Sequence, residues 1–243
     1  MSLSSTKPLN PGRNQPCSCG SGLRFKACCG ALETNRPPPQ GISVHRNFLS
    51  QDECKALVER LKAMDSERLK IIDSANTTRD AIVLKLDEAR VTERVEVGED
   101  QTVLNDLLRQ AITTHIEPET GLEIEWFEQP QVLKYRPGGF YAQHADSENY
   151  DALENHWVRV ADRDISVLLY LNDEFEGGEI VFDKFHYRLK PSAGMLVFFP
   201  SDHRYAHTAQ AVHSGTRYAI VSFMSALGVT KLRAAPEHAV KIA

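Results

Sequence analysis

The chain has 243 residues, 42% hydrophobic and 25% charged, with a formal net charge of −5. That balance is ordinary for a globular protein of one or two domains with material for a sizeable core. The acidic excess and the lack of a basic patch argue against nucleic acid or an anionic membrane surface as partner, and no apolar run is long enough to span a bilayer.

Residues 1–16 read as a disordered leader. The opening "MSLSSTKPLNPG" is polar and lacks the apolar stretch of a secretory signal, so a cytoplasmic location is the default expectation. Residues 17–30, "CSCGSGLRFKACCG", hold four of the five cysteines, Cys17, Cys19, Cys28 and Cys29. In a reducing compartment such a cluster points to metal before disulfide. Four thiolates drawn together make a closed tetrahedral site, a ligand set that favours zinc. Gly20, Ser21 and Gly22 let the chain turn between the two ligand pairs. So short a segment has almost no core, and a bound metal would supply its folding energy. Residues 31–41 contain "NRPPPQG", a stiff extended linker and a domain boundary.

The main domain is expected over residues 42–226. Ser50 followed by Glu53 is a capping-box pattern. Cys54, Leu57, Val58 and Leu61 then recur at helical spacing, which makes Cys54 a core residue. A second helix is predicted over Thr102–His115, with Val103, Leu104, Leu107, Leu108, Ala111 and Ile112 inward. "EARVTERVEVGED" reads as short strands and a loop. After Gly121 come the short β-rich runs "LEIEWFEQPQVLKY", "DISVLLYLN", "GEIVF", "GMLVFFP" and "RYAIVSFM". They predict a mainly β, antiparallel sandwich or barrel with flanking helices in its first half. Residues 227–243 are left as a C-terminal tail.

The chemistry gathers around His144-Ala145-Asp146. On a strand, residues i and i+2 share a face, so this imidazole and carboxylate can approach one metal ion together. His207 follows the apolar run "GMLVFFP" and completes two histidines and one carboxylate, the donor set of non-haem iron(II) oxygenases. His203 is its rival as third ligand. Arg217, ten residues after His207, opens an apolar strand, where a buried cation requires an anionic partner. A dicarboxylate that chelates a metal at one end would supply that anion at the other. Tyr135, and Tyr170 on the face shared by Ser166 and Leu168, are hydroxyls available to the same carboxylate. His186 and His213 read as exposed turn or strand residues, and Phe198 and Phe199 as core. His156 and Trp157 lie in the connection 147–164, which is either a lid or a solvated loop.

Two resemblances follow from these residues. Cys17, Cys19, Gly20, Ser21, Gly22, Lys26, Cys28, Cys29 and Gly30 make residues 11–30 similar to the SEC-C motif, the small zinc module of the SecA translocase. That resemblance implies zinc on the four cysteines and docking to a partner near the translation or secretion machinery. From about residue 42 to 226 the chain resembles the prolyl 4-hydroxylase branch of the iron(II)- and 2-oxoglutarate-dependent dioxygenases. The resemblance rests on Tyr135-x-x-Gly138-x-x-Tyr141-x-x-His144-x-Asp146, "LLYLN", Gly177-Gly178-Glu179, the phrase Gly194 to Pro200, and His207 to Arg217. It implies a double-stranded β-helix (jelly-roll) fold, with His144, Asp146 and His207 as iron ligands. Arg217, aided by Tyr170, would hold the far carboxylate of 2-oxoglutarate, and Tyr135 would lie near it. It further implies hydroxylation of a prolyl residue in a protein or peptide, with succinate and carbon dioxide as co-products and ascorbate as a reductant. Two other readings of the residues are a zinc-knuckle adaptor with a non-catalytic barrel, and an oxygenase acting on a small molecule.

Overall fold

The computed structural model describes residues 14–16, 24, 26, 37–72, 84–86 and 88–242. The leader before residue 14 and all four cysteines of the expected zinc knuckle lie outside the described residues. Within that N-terminal part, Pro16 and Arg24 form an isolated antiparallel bridge.

Two antiparallel sheets carry the domain. The larger runs in the order Ser43–His45, Met195–Pro200, Ile165–Tyr170, Arg217–Ala226, Gln131–Tyr135, Glu93–Val95 and Ser66–Arg68. The smaller runs Tyr187–Leu189, Ile180–Phe182, His207–Ala209, Phe140–His144 and Arg90–Val91. This is the double-stranded β-helix expected from the sequence.

Strand alternation explains why the larger sheet is apolar on both faces. Along Ile165–Tyr170, Val167 and Leu169 point to the helices, while Leu168 and Tyr170 belong to the cluster facing the smaller sheet. Along Met195–Pro200, Leu196 and Phe198 take the helix side, and Met195, Val197 and Phe199 the other. Phe198 and Phe199 are thus both core, on opposite faces.

The helices cover the outer face. The first, Gln51–Lys62, begins with the capping box: the Ser50 side chain accepts from the Glu53 amide, and the Glu53 carboxylate accepts from Ser50. Its buried residues are Cys54, Leu57, Val58 and Leu61. Burial pushes the Cys54 thiol up to about 11, as befits an inert core residue.

The second helix differs from expectation. It is α-helical over Gln101–Ala111, widens into a π-helical stretch at Ile112–Ile116, and continues as a short helix Glu117–Thr120. Gly121 ends it in the left-handed region, at φ 69°. Leu104, Leu108, Ala111, Ile112 and Ile116 are buried and Leu107 is half-buried. Val103, expected inward, is 40% exposed, because it flanks the stripe that Leu104 and Leu108 define.

Two further segments also differ. Residues 147–164 contain an antiparallel hairpin, Glu148–Asp151 with His156–Arg159, rather than an irregular loop. Residues 227–243 include a strand, Ala239–Lys241, that pairs with Ile124–Glu128. Among the described residues, no helix is long and apolar enough to cross a membrane.

Leu104 is fully buried between helix and sheet. Leu104→Ala is expected to lower stability by about 2–5 kcal/mol, read as a lower denaturation midpoint at unchanged slope.

Candidate functional site

The Phe140–His144 and His207–Ala209 strands pair so that His207 lies directly opposite His144. Their rings are 4.4 Å apart between centroids. Asp146, just past the end of its strand, reaches both: Oδ1 is 3.4 Å from His144 Nε2, and Oδ2 is 3.9 Å from His207 Nε2. Donor atoms of the three residues all lie within 4.8 Å of one another.

Backbone carbonyls set the imidazole tautomers. His144 Nδ1 lies 2.8 Å from the Ala142 carbonyl oxygen, and His207 Nδ1 lies 3.2 Å from that of Tyr205. A carbonyl can only accept, so each Nδ1 carries the proton and each Nε2 presents a lone pair toward the carboxylate. Burial disfavours ionisation of Asp146, but His207 and His144 beside it and the hydrogen bond from Ser166 outweigh it and hold the carboxyl well below its ordinary range. Burial, with His144 beside it, pushes His207 down to about 4, against the pull of Asp146. At neutral pH the trio therefore comprises a carboxylate and a neutral His207, a protonation state suited to a divalent ion. Two imidazoles and one carboxylate, converging with open positions, suit non-haem iron(II).

Ser166 holds Asp146 in place. Its hydroxyl donates to Oδ2 at 2.6 Å and lies 2.7 Å from the Ser201 hydroxyl. The Asp146 amide donates to the Ser201 carbonyl at 3.1 Å.

A cavity of about 140 Å³ opens beside the trio, lined also by Tyr135, Leu168, Tyr170, Ile180, Arg217 and Ala219. Arg217 begins its strand opposite Tyr135 and is 3% exposed. Its guanidinium carbon stands 3.9 Å over the Tyr135 ring and 6.0 Å from that of Tyr170. Nη1 donates to the Gly178 carbonyl at 2.5 Å, but Nε is buried without a hydrogen-bond partner. No carboxylate ion pair with Arg217 is found among the described residues. A buried guanidinium in that state favours an anion in the cavity. Burial pushes the Tyr170 hydroxyl up to about 12, against the pull of Arg217, so it stays protonated and able to donate.

The structure thus brings His144, Asp146, His207, Arg217, Tyr135 and Tyr170 to one cavity. His203 is elsewhere: it sits in a short turn, its Nδ1 2.5 Å from Glu148 and its ring stacked on Trp157. His186 and His213 are exposed. The sequence reading did not single out Arg90 or Arg163, which also line the cavity. Arg163 binds Glu128 through two nitrogens, at 2.5 and 2.8 Å, and donates to the Asp146 carbonyl at 3.1 Å. Arg90 stands 4.6 Å over Tyr141, whose ring stacks on His144, and its Nε is buried without a partner. No local pattern marks either arginine, since their neighbours come from remote strands.

Residues 130–225 match the 2OG-Fe(II) oxygenase superfamily, and residues 13–31 match the SEC-C motif. Residues 130–225 are thus similar to a 2OG-Fe(II) oxygenase domain. The chain is 32% identical over 142 residues to "Probable prolyl 4-hydroxylase 10" of Arabidopsis thaliana, covering 58% of this chain and 44% of that protein. The fold matches that of a Trichoplax adhaerens prolyl hydroxylase solved with a hypoxia inducible factor peptide fragment. That match has a TM-score of 0.56 and 19% identity, covering 81% of this chain and 86% of the other. Over 24 residues the chain is 67% identical to the SecA translocase subunit of Halothermothrix orenii, covering 10% of this chain and 3% of that protein. The chain spans less than half the length of the curated relatives it matches.

Ser166→Ala removes the hydroxyl that holds Asp146. Iron(II) affinity is expected to fall about 10–100-fold, measured by competition with a chromogenic chelator, with the melting temperature little changed.

Proposed function

We propose that this chain is an iron(II)- and 2-oxoglutarate-dependent dioxygenase that hydroxylates a prolyl residue of a protein substrate, with succinate and carbon dioxide as co-products. One observation carries the reading: the cavity lined by the His144, Asp146 and His207 donors also contains Arg217, with a buried Nε lacking a partner. When bound, iron(II) would supply the dioxygen chemistry, with 2-oxoglutarate giving two of the four electrons that dioxygen consumes and the hydroxylated C–H bond of the substrate the other two.

The chain's own residues do the rest. His144 and His207 offer lone pairs because the Ala142 and Tyr205 carbonyls hold their Nδ1 protons. Ser166 keeps Asp146 turned toward them. Arg217 and Tyr170 take the far carboxylate of the co-substrate, with Tyr135 packed under the guanidinium. Leu168, Ile180, Ala219 and Val221 line the cavity with apolar surface and limit water around the reacting groups. A protein substrate is supported by the prolyl hydroxylase relatives and by the peptide-bound Trichoplax structure.

In this reading Cys17, Cys19, Cys28 and Cys29 hold zinc, as the SEC-C match supports. That module docks a partner near the translation or secretion machinery, the location is cytoplasmic, and ascorbate serves as reductant.

Anaerobic titration of the iron(II)-loaded protein with 2-oxoglutarate tests the site. A weak visible charge-transfer band is expected in wild type and not in Asp146→Ala, and its absence from well-loaded wild type would reject the reading. Arg217→Ala is expected to retain iron but need about tenfold more 2-oxoglutarate or beyond, the equivalent of one charged hydrogen bond. Cys17→Ser combined with Cys28→Ser is expected to remove zinc, by elemental analysis, and leave 2-oxoglutarate turnover in place.

A further inference from the structure

A second group of metal-type donors lies apart from the cavity. His45 ends the first strand of the larger sheet, His115 sits in the π-helical stretch Ile112–Ile116, and Glu119 lies one turn further on. None of the three lines the cavity that holds His144 and Arg217. We propose that His45, His115 and Glu119 form a separate site for a borderline divalent ion, zinc above all.

The distances suit an ion. His45 Nε2 is 2.7 Å and His115 Nδ1 is 3.9 Å from Glu119 Oε1, and the donor atoms of the three residues lie within 4.8 Å of one another. Zinc bonds of about 2.0–2.1 Å place tetrahedral donors about 3.3 Å apart. The two contacts fall on either side of that spacing, so small side-chain adjustments would close the site. Two imidazoles and a carboxylate are donors that zinc accepts.

An ordinary histidine–glutamate hydrogen bond accounts less well for the group. At 2.7 Å the His45–Glu119 contact is short, yet His45 Nε2 is buried and has no hydrogen-bond partner. The carboxylate oxygen therefore lies off the direction in which an N–H would point. The His45 and His115 rings also crowd together, at 4.1 Å between centroids and 33° between planes. Two imidazolium ions there would repel each other, whereas two neutral rings can share a cation. Burial, and then the presence of His45, holds the His115 pKa below its ordinary value, which leaves the ring ready to ligate.

The surroundings orient the donors and leave them reachable. Phe198 stacks on His45, 5.8 Å away and 11° from parallel, and Phe48 meets His115 edge-on at 5.8 Å. The π-helical stretch closes with the Glu117 amide donating to the Ile112 carbonyl, and the Thr113 and Thr114 hydroxyls donate to the Arg109 and Gln110 carbonyls. Such widened turns are frequent at functional sites. The side chains of His45, His115 and Glu119 are 27%, 30% and 38% exposed, so an ion reaches the group from the His115 and Glu119 side, His45 Nε2 itself being buried. Glu119 also borders a surface groove with Ser43, Thr120 and Leu122, open to water for the remaining position. A bound ion would fasten the Ser43–His45 strand to the helix end and stabilise the folded state by mass action.

The test uses the full chain with its barrel site disabled by His144→Ala and His207→Ala. That protein and two derivatives, one adding Glu119→Gln and one adding His115→Ala, are dialysed against buffered zinc and counted by elemental analysis. Melting is followed with and without zinc. The parent is expected to hold one zinc equivalent more than either derivative, and only the parent should gain melting temperature from that equivalent. Equal zinc counts in all three, with matching melting curves under chelator, would overturn the proposal. If one derivative melts early under chelator, the other decides. If both do, a parent whose melting does not respond to zinc overturns it. No readout depends on catalysis.

Discussion

The pairing of His207 opposite His144 is the register on which the site depends. The two residues lie on different strands of the smaller sheet and meet only because those strands are neighbours. Side chains alternate along a strand, so a one-residue slip would turn an imidazole to the opposite face. The larger sheet anchors the remaining donor. Ser166, on the central Ile165–Tyr170 strand, bonds Asp146, and Ser201 links that strand's neighbour to the same loop. The donors are thus held from both sheets.

Arg217 poses the opposite problem, a charge placed where water is scarce. It begins a ten-residue strand that pairs with Ile165–Tyr170, Gln131–Tyr135 and Ile124–Glu128. So much pairing fixes its backbone, and the face of Tyr135 and the Gly178 carbonyl meet only part of the guanidinium's demand. The position is costly unless an anion joins it, which couples the arginine to whatever occupies the cavity.

Features set by neighbours in the chain were legible in the sequence. The Ser50–Glu53 cap and the Cys54–Leu61 stripe are local, and the structure shows both. The strands after Gly121 announced themselves by short β-branched and aromatic runs between turn residues. The closeness of His144 and Asp146 in sequence is likewise local, but Asp146 lies past the end of the strand and is turned by Ser166 and Ser201 rather than by strand alternation. Other features answer to distant partners. Val103 fits a helical pattern but lies on its flank, and the π-helical stretch at Ile112–Ile116 has no simple periodic signature. The polar run 147–164 gave no strand signal, although Tyr150 pairs with Trp157 across a hairpin. Arg90 and Arg163 carry no local signal, because Tyr141, Glu128 and Phe223 come to them only through the fold.

The Ala239–Lys241 strand has a consequence of a different kind. It occupies the outer side of Ile124–Glu128, the strand that buries Trp126 and Phe127. A sheet margin left bare presents a row of unpaired amides and carbonyls, a template onto which another chain can add. Here the chain's own last strand fills that position, while Val240 and Ile242 pack onto the core beside it. With only three residues, that strand presents a short outer margin of its own, which limits edge-to-edge growth of the larger sheet from one molecule to the next.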